Sequence, residues 1–269
     1  MKTLFFPLQL VSALVGLLFA SAPAKAQLLV SDTFTHADGR FIPFSGTVTT
    51  YAPSPTNILG GVYVVTGGGD GDGKFLGNTG QMHNGGGVGL AMGSYNDNAT
   101  LTVSADLSFL NVTVPVQISG YALLGFFSAQ STAQYNPGSA RTNFTGLQVS
   151  LDGSISLYLQ GTLTGSAIAY GGTYNPAAMS TLTYTVNTTT GAISNITFGA
   201  SSASYSFATT GFTQARTEFV GFGGSLNNTP NWVAFDNFTV TAVPEPTAVM
   251  LAMGGMGLLG LRRRRRTLG

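Results

Sequence analysis

Polar and apolar residues alternate through much of the middle of the chain. Leu101, Val103, Ala105, Leu107 and Phe109 fall on one side of a two-residue period, with Thr102, Ser104, Asp106 and Ser108 on the other. That is the pattern of a half-buried strand. The same alternation runs through 147–151 and, after Asp152-Gly153, through 155–159. Asp-Gly between two alternating runs predicts a hairpin with a type I′ turn. A second hairpin is expected from 182–186 through Thr190-Gly191 to 193–198. Further strands are expected at 28–34, 62–66, 118–128, 205–209, 219–224 and 232–241. Residues 118–127 are apolar at nearly every position except Ser119, which predicts a central strand covered on both faces or bent between sheets. The body shows no convincing helical period. Ten or more short strands separated by Gly- and Asn-rich turns predict an all-β fold, a two-sheet antiparallel β-sandwich.

The two ends of this pattern sharpen the topology. The first strand carries Ser31-Asp32-Thr33-Phe34, and the last carries Ala234-Phe235-Asp236-Asn237-Phe238-Thr239-Val240. An Asp-x-Phe near the start and a closing Asp-Asn-Phe-Thr-Val strand resemble the concanavalin A-like jelly roll. The resemblance spans roughly residues 28–241 and implies that the terminal strands lie side by side.

Composition narrows the function classes. Only 8% of the 269 residues are charged and there is no Cys. Coiled coils, charged disordered tails, disulfide frameworks, thiol catalysis and ordinary structural zinc sites are excluded. The formal charge of +1 conceals an uneven distribution. Between residues 27 and 243 stand four basic residues (Arg40, Lys74, Arg141, Arg216) against nine acidic ones, a net charge of −5. A body without a basic patch is a poor partner for nucleic acid.

The remaining basic residues sit at the ends. Lys2, an apolar run over 8–20 and the small residues Ala24 and Ala26 form a Sec-type signal peptide over 1–26, with signal peptidase cleaving after Ala26. At the other end, Pro244-Glu245-Pro246 precedes the apolar residues 248–261, followed by Arg262, Arg263, Arg264, Arg265 and Arg266. A helix over 248–261 spans roughly 21 Å against the ~30 Å hydrocarbon core, a short transmembrane helix, and the arginines hold its far end in the cytoplasm.

Pro-Glu-Pro, a short Gly-containing apolar helix and an Arg cluster, in that order over residues 243–269, closely resemble the PEP-CTERM sorting domain of Gram-negative bacteria. This tail also bears the name ice-binding protein C-terminal domain, which describes the anchor and not the body. The resemblance implies processing near Pro244, Glu245 and Pro246 by an exosortase, a membrane-embedded cysteine transpeptidase-like enzyme. The expected organisation is therefore signal peptide 1–26, β-sandwich body 27–242 and sorting segment 243–269. The expected route is Sec export, transient inner-membrane anchorage, then the cell surface or extracellular matrix.

Candidate chemistry in the body is sparse. His36 and His83 both sit in turn-like or Gly-rich segments and read as solvated loop histidines. No nucleophile elbow, His-Glu-x-x-His motif or phosphate loop is present. Glycoside hydrolysis needs two carboxylates, and Glu218 is the body's one glutamate, so the body reads as non-enzymatic. The best metal candidate is Gly67 to Lys74, where Asp70 and Asp72 could share a Ca²⁺, with Asp97 adding an oxygen if folded nearby. Otherwise no cofactor is expected. Trp232 reads as core packing. Tyr51, Tyr63, Tyr135, Tyr158, Tyr170 and Tyr174 offer aromatic faces for a polysaccharide, and their number fits a sandwich core equally well. The repeated Asn-x-Thr, at Asn98, Asn111, Asn143, Asn187, Asn195, Asn227 and Asn237, reads as Thr-rich strand faces. The leading expectation is a structural or interaction domain at the cell surface, with Ca²⁺-assisted carbohydrate binding as the alternative and a glycoside hydrolase as the third reading.

Overall fold

The computed structural model describes residues 26–42, 51–65, 73–83, 85–93, 99–112, 120–128, 144–188, 190, 192–199, 205–207, 219–226 and 232–244. The expected signal helix and the expected helix over 248–261 lie outside the described residues. Among the described residues, no helix is long and apolar enough to cross a membrane. Residues Gln27–Ala242 form one compact unit, and among the described residues its regular elements are all strands.

The strands make two antiparallel sheets. The first contains β1 (Gln27–Asp32), β2 (Gly39–Ile42), β3 (Pro55–Asn57), β5 (Gly73–Phe75), β6 (Gly80–Met82), β8 (Ala99–Leu110), β13 (Ser180–Asn187), β14 (Ile193–Phe198), β15 (Tyr205–Phe207) and β17 (Trp232–Pro244). Its order is β15-β14-β13-β8-β17-β6-β5-β2, with β1 pairing both β17 and β3. The second contains β4 (Val64–Val65), β7 (Gly86–Ala91), β9 (Gly120–Phe127), β10 (Phe144–Ser150), β11 (Ile155–Leu159), β12 (Thr162–Ile168) and β16 (Phe219–Leu226), in the order β12-β11-β10-β9-β16-β7-β4. The two-sheet antiparallel sandwich expected from the alternation is what forms.

Between the sheets lies one continuous core. Leu101, Val103, Ala105, Leu107 and Phe109 of β8 are fully buried in it, as the period-two pattern requires. Leu124 and Phe126 of β9 and Val220 and Phe222 of β16 meet them from the other sheet. Phe222 is the hinge of an aromatic cluster: its ring lies 4.8 Å from Phe235, 5.4 Å from Phe34 and 5.5 Å from Phe238. The Tyr184 hydroxyl ties the sheets together by donating to the Leu124 carbonyl at 3.1 Å.

Strand β9 has the central place predicted for it, and its other face is buried too. Tyr121, Leu123 and Phe127 join Phe144 and Tyr158 in a second cluster on the outer side of the second sheet. Across that side runs a row with no side chains: Gly146 pairs Gly125, Gly125 pairs Gly221, and Gly221 pairs Gly89. A Cβ on Gly125 would stand 2.6 Å from the Thr145 carbonyl oxygen, and one on Gly221 1.9 Å from that of Val88. The row lets neighbouring backbones approach where side chains would hold them apart.

The terminal strands pair as the jelly-roll resemblance implied, with Leu28 opposite Thr241 and Asp32 opposite Phe238. Strand β1 stops at Asp32 rather than Phe34, because the Asp32 carboxylate accepts the Phe34 N–H at 2.8 Å and Phe34 turns to φ 51°. The Asp-Gly hairpin also differs in detail. Gly153 N–H donates to the Ser150 carbonyl, and Gly153 (φ 80°) is the turn's one positive-φ residue, where type I′ needs two.

Two bulges share a sequence signature. In Phe235-Asp236-Asn237-Phe238 and in Ile193-Ser194-Asn195-Ile196, apolar residues three apart are both fully buried. The asparagine between them is left-handed, at φ 49° for Asn237 and 52° for Asn195. The extra residue restores the inward phase of the strand. Asn tolerates this backbone, and a β-branched residue does not, at a cost of about 1–2 kcal/mol. Asn195→Gly should therefore leave the melting temperature within about 2 °C of the parent, while Asn195→Val lowers it by roughly 2–8 °C. Equal melts for the two variants would refute the bulge.

Candidate functional site

An aromatic cluster with hydrogen-bonding groups beside it lies on the loop side of the core. The loop between β12 and β13 carries Tyr170 and Tyr174, whose rings lie 5.0 Å apart and 5.4 and 5.5 Å from Phe198. Both tyrosines are half-buried and pack on the core. The loop is pinned at several points: Pro176 accepts the Phe109 N–H at 2.7 Å, and Asn175 Oδ1 accepts the Ala177 N–H at 3.1 Å.

Beneath the rings lies the β10–β11 turn. Gly153 is required there twice over, by its φ of +80° and because a Cβ would fall 2.7 Å from the Tyr174 ring. The turn thereby brings Asp152 beside the tyrosines. Asp152 Oδ1 accepts the Ser154 hydroxyl at 2.7 Å and the Ser154 N–H at 2.9 Å. The Ser154 hydroxyl is the main reason that the Asp152 carboxyl is held below its ordinary pKa. Burial, then Tyr170 and Asp152, push the Tyr174 phenol well above its ordinary range. The Tyr174 hydroxyl oxygen is buried and makes no hydrogen bond among the described residues. Apolar ring surface flanked by a carboxylate, a hydroxyl and the exposed Asn175 is chemistry that suits a hydroxylated ring.

A second constellation is internal. Asp32 is fully buried. Its Oδ2 accepts the Tyr51 hydroxyl at 3.0 Å, and its Oδ1 lies 3.7 Å from His36 Nε2. The Tyr51 ring lies 4.8 Å from Tyr63 and 4.5 Å from His36. Tyr63 is 2% exposed, and its hydroxyl interacts with Asp32 and Tyr51 in the same buried network. Burial raises the Asp32 pKa despite its hydrogen bonds from Phe34 and Tyr51. Burial also raises both phenols well above their ordinary value, reinforced for Tyr51 by Tyr63 and Asp32 and for Tyr63 by Asp32.

Other expected site residues are placed as follows. Asp70, Asp72, Asp97, Glu218, Glu245, Pro246, Ala24 and Arg262 to Arg266 lie outside the described residues. Ala26 immediately precedes β1, and Pro244 is the last residue of β17. Among the described residues, no group of three or more His, Cys, Asp or Glu could hold a metal.

His83 is not the solvated loop residue that the sequence suggested. It is 2% exposed and lies 5.2 Å from the Trp232 ring. The glycines after it hug β16, with Gly85 N–H donating to the Gly224 carbonyl, so the imidazole has a neighbour where a loop would leave it in water. His36 is likewise packed, against Tyr51 and Phe75. Trp232 is buried as expected, with Lys74 Nζ 3.9 Å from its ring centre. A tryptophan so covered offers no free platform.

No family model matches the chain, and no curated protein matches it in sequence. Among solved structures, peanut lectin with a 9mer peptide matches at a TM-score of 0.50 and 13% identity, over 77% of this chain and 97% of the lectin. The Lotus tetragonolobus seed lectin matches at a TM-score of 0.47 and 11% identity, over 77% of this chain and 98% of that one. The peanut lectin match shows that the body shares the fold of that sandwich.

The Asp152 turn can be tested by titration. A depressed carboxylate pKa stabilises the fold above the unfolded value, ordinarily 3.8, and that stabilisation is lost as pH falls through the folded value. Ser154→Ala removes the largest cause of the depression. The parent should melt about 1–3 °C above the variant at neutral pH, and the gap should close in acid. A gap unchanged across that range would sink the assignment.

Proposed function

We propose that the body is a lectin-like carbohydrate-binding module of an exported protein. The observation that carries this reading is the pair Tyr170 and Tyr174, held by Gly153 against Asp152 and Ser154 on a lectin-type sandwich. The rings would take the apolar face of a pyranose, while Asp152 and Asn175 would bind its hydroxyls. The peanut lectin lends the fold, and the tyrosines of this chain lend the chemistry. No catalytic step is assigned. Asp106, the described carboxylate beside Asp236, is engaged by Thr181 at 2.5 Å and Asn237 at 2.8 Å.

The full chain should bind a subset of glycans on an array, and Tyr174→Ala should weaken that binding at least tenfold, about 1.4 kcal/mol. Binding to no glycan, or undiminished binding by a folded Tyr174→Ala variant, refutes the reading. An EDTA arm tests the calcium expectation, because loss of binding there would be reversed by added Ca²⁺ if Asp70, Asp72 and Asp97 hold the ion.

The end segments supply location. Signal peptidase would release the chain after Ala26, and the inner membrane would hold it through 248–261 until an exosortase acts near Pro244-Glu245-Pro246. Removing Pro244 to Pro246 should leave the protein at its unprocessed mass in the membrane fraction. Normal processing of that variant would refute the sorting assignment.

A further inference from the structure

The bond at which signal peptidase is expected to cut coincides with the start of the folded body. Small residues at Ala24 and Ala26 predict cleavage after Ala26. The compact unit begins at the next residue, Gln27, which is also the first residue of β1 and stands opposite Ala242 of β17. Ala26 is exposed and belongs to no strand, and Gln27 is exposed as well. The residue that cleavage would leave at the new N-terminus is therefore a solvent-facing glutamine.

We propose that Gln27 is a modification site, at which the mature chain closes its own N-terminus into pyroglutamate. The proposal rests on the export reading, because it needs the α-amine that cleavage after Ala26 creates. In the closure, the unprotonated α-amine of Gln27 attacks Cδ of its own side-chain amide. A C–N bond forms there, the bond from Cδ to Nε2 breaks, and the side-chain nitrogen leaves as ammonia with a proton from the amine. Nothing is oxidised or reduced, and no co-reactant is needed. An α-amino group has a pKa of about 7.7–8.0, so on the order of a tenth of it is ready to attack at neutral pH. Nucleophile and electrophile sit on one residue, which spares the reaction the entropy of bringing them together. The residue type matters. Gln closes a five-membered ring, Asn would have to close a strained four-membered one, and the carboxylate of Glu is a poor acceptor for an amine.

The fold accepts the product. A lactam keeps a planar amide with one N–H, as any backbone peptide does, and the exposed position leaves the ring in solvent. Full burial starts beyond it, at Leu29 and Val30. Closure removes the free amine that an aminopeptidase needs. Trimming from this end would take away the pairs Gln27–Ala242 and Leu28–Thr241 in turn, and with them the ladder that joins the first and last strands. A blocked Gln27 protects that ladder outside the cell.

The test exports the full chain from a Gram-negative host and holds the purified mature protein at neutral pH. Its free amines are dimethylated before digestion, so that rings closed during digestion are not counted. The expected N-terminal peptide begins at residue 27, lacks the mass of one ammonia and carries no label on its α-nitrogen. Gln27→Ala should begin at the same residue, take the label, and melt with the parent because the side chain is exposed. It should also lose N-terminal residues to an added aminopeptidase that leaves the parent intact. A chain that begins at Gln27 and takes the label in full overturns the proposal and leaves the export reading standing. A chain that begins at another residue overturns both. Equal resistance of the parent and Gln27→Ala to the aminopeptidase overturns the protective role.

Discussion

The antiparallel pairing of β1 with β17 is the contact on which the rest of the sandwich hangs. It joins the first and last strands of the compact unit, with Asp32 opposite Phe238. β1 also carries β3, while β17 pairs β6 through Val233–Phe235 before it reaches β1. A strand flanked by β8 on one edge and by β6 and β1 on the other fixes the register of both halves of its sheet. The loop-closure entropy of joining chain ends so distant must be offset by what the pairing buries. That includes Phe34, Phe235 and Phe238, all packed on Phe222 of the opposite sheet.

Phase is the second requirement. A long strand that buries one face must keep every other residue inward, and right-handed twist makes that difficult over thirteen residues. The Asn237 bulge resets the phase where β17 passes from β6 to β1, and Asn195 does the same in β14. Both asparagines belong to Asn-x-Thr triplets. In these two triplets the sequence marks a bend followed by a half-buried threonine. The opposite sheet solves a different problem, close approach of backbones, with its row of paired glycines.

This division explains what could be read in the sequence. Alternation is a local signal, so β8, both hairpins and the central strand β9 were legible, and the Asp-x-Phe and Asp-Asn-Phe segments correctly announced side-by-side terminal strands. Three kinds of feature were not. Apolar residues spaced by three at Phe235/Phe238 and Ile193/Ile196 break the period that defines a strand, and only the intervening Asn hints at a bulge. A lone His in a Gly-rich segment reads as solvated, because the ring that packs on His83, that of Trp232, is remote in sequence. The Tyr170 and Tyr174 faces were named among six tyrosines, but nothing local singled them out. Their selection depends on Gly153, which lies seventeen residues before Tyr170 in the chain.

The shortage of charge takes on a structural meaning in this light. On the outer face of the first sheet, strands are cross-linked by short polar side chains: Ser104 with Thr183 at 2.7 Å, and Asp106 with both Thr181 and Asn237. Such bonds are short-range and need no ion pair, so added salt has little to screen. They also leave the body weakly acidic, with hydroxyls and amides as its commonest polar groups. A surface of this kind repels polyanions and has little grip on charged partners in general. On the proposed reading its ligands would be neutral and rich in hydroxyls, because those exchange hydrogen bonds with water and protein on nearly equal terms and gain from apolar ring contact. The composition that makes nucleic acid an unfavourable partner is therefore the same one that fits the proposed tyrosine site.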